Sequence, residues 1–285
     1  MTKIAILTDS TANLPVEWIE QYNIRVIPLK IHWLNVTTLD GVDIAPNEFY
    51  TRLAHSKSLP TTSQPSIQDF LQAFESLADQ ADGIVVPLIS SGISGTVASA
   101  QAAAHQFSRV PVEIVDTRVT SAGQALVVLA AARTAAQGKS LQEVRQAADA
   151  VVQHMHLFFA VDTLEYLHRG GRIGGASRYL GTVLNIKPIL YFDLDGKLDA
   201  LERARTKGKA LQRLTALAEE KANGHPLHLG VIHANAPQIA QDFRDQITRH
   251  LQCKEVFTLE LSQAIGVHVG PGTIGTALYA EINTD

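Results

Sequence analysis

Residues 83–96 read Gly83-Ile84-Val85-Val86-Pro87-Leu88-Ile89-Ser90-Ser91-Gly92-Ile93-Ser94-Gly95-Thr96. The first half is an unbroken apolar run of strand length, the pattern of a strand buried on both faces. The second half is a polar, glycine-containing turn that opens a helix of small residues running to about Phe107. The same alternation extends to both sides. Downstream, Val112–Val115 reads as a strand ending at Asp116, followed by a long apolar helix to about Gln137. Upstream, Ile4–Leu7 reads as a strand ending at Thr8-Asp9-Ser10-Thr11. A short helix (Val16–Tyr22), a strand (Arg25–Trp33) and a helix (Asn47–His55) follow it. Leu59–Ser66 is a polar loop. It leads into an amphipathic helix with Ile67, Phe70, Leu71, Phe74 and Leu77 on one face, N-capped by Ser66 with Asp69 three residues later. Ser140-Leu141-Gln142-Glu143 is a capping box for the next helix. This β-α-β-α order predicts a parallel sheet covered by helices.

The second half changes character. A strand at Leu157–Val161 is followed by a short helix at Thr163–His168, stopped by Gly170-Gly171, and a helix at Ser177–Asn185, ended by Pro188. Ile189–Phe192 and Lys197–Arg203 flank Asp195-Gly196 as a hairpin. Helices at Lys207–Lys221 and Pro237–His250 alternate with strands at Leu227–His233, Glu255–Leu261 and Thr276–Ile282. The expectation is an α/β protein of two domains: residues 1–155 with the parallel sheet, and residues 156–285 as a second α/β or α+β domain. No Pro- or Ser-rich linker separates them, so they are expected to pack closely.

Composition narrows the function. Of 285 residues, 46% are hydrophobic and 18% charged, with a formal net charge of -4, which suits a packed core and argues against disorder. No basic excess points to nucleic acid or to cationic attachment to a membrane. The single cysteine, Cys253, allows no intrachain disulfide and no cysteine-based zinc site. The apolar run at the N-terminus is too short for a signal peptide or a membrane span, so the expected location is the cytoplasm.

Two polar loops open helices, one around Thr62 and one around Ser94, and helix N-termini receive anions. Ser63 and Gly95 stand beside them as further candidates. Ser94 is also open to a plain reading as a helix cap. Gly92-Ile93-Ser94-Gly95-Thr96 nearly matches the nucleophile elbow G-x-S-x-G, with Thr96 in place of the last glycine. Asp116 and then His233 or His268 would supply a hydrolase's chain order. Gly270–Gly275 formally matches G-x-G-x-x-G but lacks a following βαβ unit, and reads as a turn. His154 and His156 read as a solvent-facing pair. His268 lies in Gly266-Val267-His268-Val269-Gly270, where flanking glycines suggest an accessible imidazole. Arg169 and Arg172 sit beside glycines, and Arg203, Arg205, Lys207 and Lys209 form a basic cluster. That cluster reads either as solvated surface or as a docking rim for an anion or acidic partner.

Taken together, these residues resemble the DegV family from about Lys3 to Ala280. The blocks are T-D-S-T-A-N-L-P (Thr8–Pro15), T-S-Q-P-S (Thr62–Ser66) and S-S-G-I-S-G-T (Ser90–Thr96). They continue with V-D-T-R-V-T-S-A-G (Val115–Gly123), L-E-Y-L-H-R-G-G-R-I (Leu164–Ile173), L-N-I-K-P-I-L (Leu184–Leu190) and H-V-G-P-G-T (His268–Thr273). The resemblance implies two α/β domains holding a long-chain fatty acid such as palmitate or oleate between them. Its carboxylate would meet Thr62 and Ser94, with His268 near the headgroup. It also implies, for some members, a non-catalytic role presenting the acid to a separate fatty acid kinase. Arg172, Arg203 and Arg205 are the candidates here for that partner's rim. No metal and no cofactor beyond the bound acid is expected. The sequence departs from the family's common pattern at His168-Arg169, where a lysine-rich stretch is frequent, and at Val97, where an aromatic residue is frequent.

Overall fold

A computed structural model describes residues 2–56, 58–181 and 186–281. The first half runs β1 (Ile4–Asp9), α1 (Val16–Tyr22), β2 (Arg25–Ile27), β3 (Lys30–Trp33), β4 (Val36–Leu39), α2 (Pro46–His55), β5 (Thr61–Ser63) and α3 (Ile67–Ala78). It continues with β6 (Gly83–Leu88), α4 (Thr96–Ala104), β7 (Val112–Asp116), α5 (Ser121–Ala136) and α6 (Leu141–His154). The second half runs β8 (His156–Ala160), α7 (Glu165–Arg169), β9 (Lys187–Phe192), β10 (Leu198–Ala204), α8 (Lys207–Ala222) and β11 (Leu227–His233). It ends with α9 (Pro237–His250), β12 (Cys253–Glu260), α10 (Gln263–Val269) and β13 (Ile274–Ala280).

The first sheet has the order β2-β1-β6-β7 and is parallel throughout. Its central strand β6 shows why the 83–89 run is apolar at every position: alternate residues face opposite helical layers. Ile84, Val86 and Leu88 pack with Phe70, Phe74 and Val97 of α3 and α4, whereas Val85 and Ile89 join the core formed with α5 and α6. Both capping boxes are present. The Ser66 hydroxyl accepts from Asp69 N–H (3.1 Å) while the Asp69 carboxylate accepts from Ser66 N–H (2.8 Å), and Ser140 and Glu143 repeat the pattern.

The second sheet has six strands in the order β10-β9-β8-β13-β11-β12, all antiparallel neighbours except β11 and β12. Helices α8 and α9 cover one face through Leu214, Leu217, Phe243 and Ile247. The other face turns to α5. That helix is buried from Ser121 to Leu129, because it lies between the two sheets rather than on a surface. Gly230 on β11 permits the contact, since a Cβ there would lie 2.6 Å from the Ala122 Cβ.

Four local expectations change. Arg25–Trp33 is not one strand. Pro28, which has no N–H to give a ladder, separates β2 in the parallel sheet from β3 in a small antiparallel sheet of order β4-β3-β5. The polar loop before Ser66 contains β5, with Thr62 paired to Ile31; three polar residues carry no periodicity, and only the partner strand makes them a strand. Ser177–Asn185 is a 3-10 segment at Gly174–Tyr179, and residues 182–185 lie outside the described residues. The last strand begins at Ile274, and Ile282 lies outside the described residues.

Candidate functional site

The two sheets, α5 and α10 enclose a cavity. Its empty space, with the open solvent at the mouth included, is about 790 Å³. The walls are largely aliphatic and aromatic, with Leu157, Phe159, Phe192 and Ile232 from the second sheet and Ala264 and Ile265 from α10. Thr62, Ser63, Gln64, Ser94, Arg172 and His268 line it as well.

Chain elements from both halves bring these side chains together. Pairing with β3 aims β5 at the cavity, and α10 carries His268 to it. The Thr62 Oγ1 and His268 Nε2 atoms are 2.8 Å apart. The Ser63 hydroxyl is 2.8 Å from His32 Nε2, whose Nδ1 meets Thr37 (2.9 Å). The Ser94 hydroxyl lies 2.8 Å from Thr96 Oγ1 and accepts from Thr96 N–H (3.3 Å), so the cap reading of Ser94 holds in part. Arg172 donates to the carbonyls of Gly170 (2.9 Å) and Ile93 (3.5 Å).

His268 is half-buried and faces the cavity rather than standing open to solvent. Burial, with the Arg172 charge adding to it, pushes its pKa down to about 4, so the ring is neutral near pH 7. Its Nδ1 is buried without a hydrogen-bond partner. A Cβ on Gly170 would lie 2.3 Å from that atom, so glycine is what admits the ring. A buried orphan N–H costs more than an under-used acceptor, which favours the proton on Nε2. Nε2–H then donates to Thr62 Oγ1, and the Thr62 hydroxyl proton is left for another acceptor.

The remaining sequence candidates fall elsewhere. Gly95 is the N-cap residue of α4 and packs against Gln64, where a Cβ would meet Nε2 at 2.9 Å. Arg203, on edge strand β10, places its guanidinium 5.1 Å over the Tyr179 ring. Arg203 and Arg205 are exposed and stand apart from the cavity wall, unlike Arg172. The hydrolase order does not assemble into a relay. Asp116 is engaged by the Ser91 hydroxyl (2.5 Å), His233 Nδ1 accepts from Ala236 N–H (3.4 Å), and Ser94 is held by Thr96. Gly270 and Gly272, with φ of 75° and 81°, form the turn into β13. His156 is half-buried and stacks on Phe158 rather than facing solvent. Among the described residues no cluster of three His, Cys, Asp or Glu could hold a metal, and no helix is long and apolar enough to cross a membrane.

Sequence reasoning missed Gln64, Leu29 and the whole of α10. The unbroken Thr62-Ser63-Gln64 run was a signal for the first. No local signal marks α10, whose Q-A-I-G-V-H-V includes a mid-helix glycine and β-branched neighbours.

The fold and the cavity define a class: two-domain α/β proteins that enclose an apolar cavity with hydroxyl and imidazole groups in its wall. The sequence profile described as "Uncharacterised protein, DegV family" matches residues 3–281, and the chain belongs to the DegV family. A DegV domain-containing protein of Halalkalibacterium halodurans is 36% identical over 283 residues, covering 99% of this chain and 100% of the relative. A DegV family protein of Thermus thermophilus, described in terms of its fatty acid binding, superposes with a TM-score of 0.93 at 33% identity, over 98% of this chain and 100% of that one. DegV of Bacillus subtilis, described as a fatty acid binding protein, superposes with a TM-score of 0.90 at 31% identity, over 99% of this chain and 100% of that one.

Proposed function

We propose that this protein binds one long-chain fatty acid, with palmitate and oleate as candidate ligands, and presents its carboxylate to a partner. The observation that carries the reading is the Thr62–His268 pair, 2.8 Å apart in a cavity with aliphatic and aromatic walls that Ser94 also lines. An alkyl chain gains about 0.8 kcal/mol per buried methylene, so a sixteen-carbon tail offers on the order of 10 kcal/mol before ordering costs. The polar groups need only orient the carboxylate and spare it an unpaired burial. A neutral His268 suits this, because it holds Thr62 in place without adding a buried charge, while Thr62 and Ser94 supply hydroxyls. Residues 1–155 carry both hydroxyls, Thr62 on β5 and Ser94 in the turn before α4, and residues 156–285 close the cavity over the tail. The relatives' fatty acid binding supports the same reading.

The partner in this reading is a fatty acid kinase, which would phosphorylate the carboxylate without chemistry by this chain. Arg172 beside the cavity and the exposed Arg203 and Arg205 are its proposed contacts. Denaturing extraction of the purified protein, followed by mass spectrometry, is expected to release one long-chain acid per chain. A protein that emerges empty and ignores added palmitate and oleate would overturn the reading. Acyl phosphate formed from kinase, ATP and fatty acid only when this chain is present would support presentation. Product at the same rate without it would overturn that part alone.

A further inference from the structure

The block Thr8–Pro15 and the residue Asp40 stay outside the cavity wall, yet Thr8, Asp9, Thr11 and Asp40 are buried and Ser10 and Asn13 half-buried. Asp9 accepts from Ile89 N–H (2.9 Å) and Gln124 Nε2 (3.1 Å). Ser10 accepts from Leu29 N–H (3.1 Å) and donates to Asp40 Oδ2 (2.6 Å). Asn13, with its amide oriented so that the oxygen points at Ser262 N–H, accepts there at 2.8 Å. Asp40, 1% exposed, extends this network into the second half of the chain. Its Oδ1 accepts from Ala264 N–H at 3.0 Å.

That bond meets α10 at its first turn. Helix α10 has seven residues, and its N-cap Ser262 makes no side-chain cap bond. A helix this short, with Gly266 and three β-branched residues, does not hold itself. Several of its attachments come from residues 40–50. Besides Asp40, the Gln263 amide accepts from Gly41 N–H (3.0 Å) and donates to the Ile44 carbonyl (2.7 Å). The Tyr50 hydroxyl packs so closely on Gly266 that a Cβ would lie 2.4 Å from it. Ala264 and His268 are four residues apart, one helical turn. The Asp40 carboxylate therefore anchors the turn directly below the imidazole that meets Thr62.

We infer that Asp40 is a positioning residue for the polar end of the cavity: by capping α10 from the other half of the chain, it holds His268 in register with Thr62. The inference rests on the fatty-acid reading for its functional consequence, and on the hydrogen bonds alone for its structural one. Asp40→Asn keeps an acceptor for Ala264 N–H, whereas Asp40→Ala and Asp40→Ser do not reach it.

The test uses the delipidated full chain and two ligands, palmitate and methyl palmitate. Loss of a cap-type bond predicts an acid affinity about fivefold to tenfold lower in Asp40→Ala, an ester affinity changed by less than about twofold, and near-parental behaviour in Asp40→Asn. In a Thr62→Val background the Asp40→Ala loss is expected to shrink, because the register it protects no longer matters. Parallel loss for acid and ester, or losses that simply multiply with Thr62→Val, would overturn the inference. Should Asp40→Ala not fold, Asp40→Ser serves with the same expectations. A second readout needs no ligand. Side-chain ¹⁵N resonances of His268 should move in Asp40→Ser and stay in Asp40→Asn. Unmoved resonances in Asp40→Ser refute the positioning role even if the fatty-acid reading stands. Moved resonances with no acid binding by the parent protein would support the positioning role and defeat only that reading.

Discussion

Replacing Thr62 with valine removes one oxygen and keeps the side chain's shape, so its effects can be worked from the hydrogen bonds. In the free protein, His268 Nε2 loses its partner at 2.8 Å. Because Nδ1 has no partner either, both nitrogens of the half-buried ring are left unsatisfied, a cost of about 1–3 kcal/mol. At about 2–4 °C per kcal/mol for a large domain, Tm should fall by roughly 2–12 °C. In the complex, the carboxylate loses a charge-assisted donor contributing about 1.5–3 kcal/mol, a weakening of about 10–150-fold. A methyl ester, which carries no charge, should lose only about 0.5–1.5 kcal/mol. Delipidated protein is measured by thermal melting without ligand, and by displacement titration with palmitate and with its methyl ester. An unchanged Tm together with equal losses for acid and ester would refute the reasoning, since Thr62 would then shape the cavity without orienting a headgroup.

Ser94→Ala should weaken the acid more than the ester in the same titrations but leave Tm nearly unchanged, because the Ser94 hydroxyl pairs with Thr96 two residues on rather than with the imidazole; a large drop in Tm would contradict this. Gly92→Ala sets a Cβ 2.4 Å from the Gly196 carbonyl oxygen, and the obstacle is backbone. The hairpin turn should lift from the Ser90–Gly92 loop and lose the Ser90-to-Gly196 bond, costing about 1–3 kcal/mol; urea melts and amide exchange at residues 193–197 check it, and an unaltered exchange pattern would contradict it. For His268, the folded value near 4 lies below the ordinary 6.5, so the unfolded chain takes the proton first as pH falls. Its contribution is intact above about pH 6.5 and lost progressively down to about pH 4, at most about 3 kcal/mol. His156, also pushed to about 4 by burial, loses stability in the same window. Urea unfolding of His268→Gln from pH 7.5 to 4.5 should therefore show a shallower pH slope than the parent, and an identical slope would contradict the assignment.

The fold was legible where a local pattern had a single physical outlet. The 83–89 run has no polar face, so it belongs in a strand covered on both sides, and β6 is the central neighbour of β1 and β7. The apolar helix after Thr120 has no polar face either, and α5 lies between two sheets. Ser66-Asp69 and Ser140-Glu143 carry their helix starts within four residues. The site was legible in part: Thr62, Ser63, Ser94, Arg172 and His268 do line one cavity. The exposure of His268 was misread because neighbouring glycines say nothing about what fills the space beside them, here Gly170 and Tyr166 packed against the ring and its turn.

Local pattern alone marks the uniformly apolar strands of the parallel sheet, the helices that carry their own caps and the hydroxyl-bearing turns that open them, because composition, periodicity and capping residues lie within each segment. Long-range contacts make Thr61–Ser63 a strand and Gln263–Val269 a helix, and bring Thr62 and His268 together across 206 residues. Both segments are too short and too poor in intrinsic propensity to choose a conformation alone. They take it from partners distant in the chain, β3 for one and Asp40 with Tyr50 for the other, and that dependence on remote contacts leaves no mark in the local sequence.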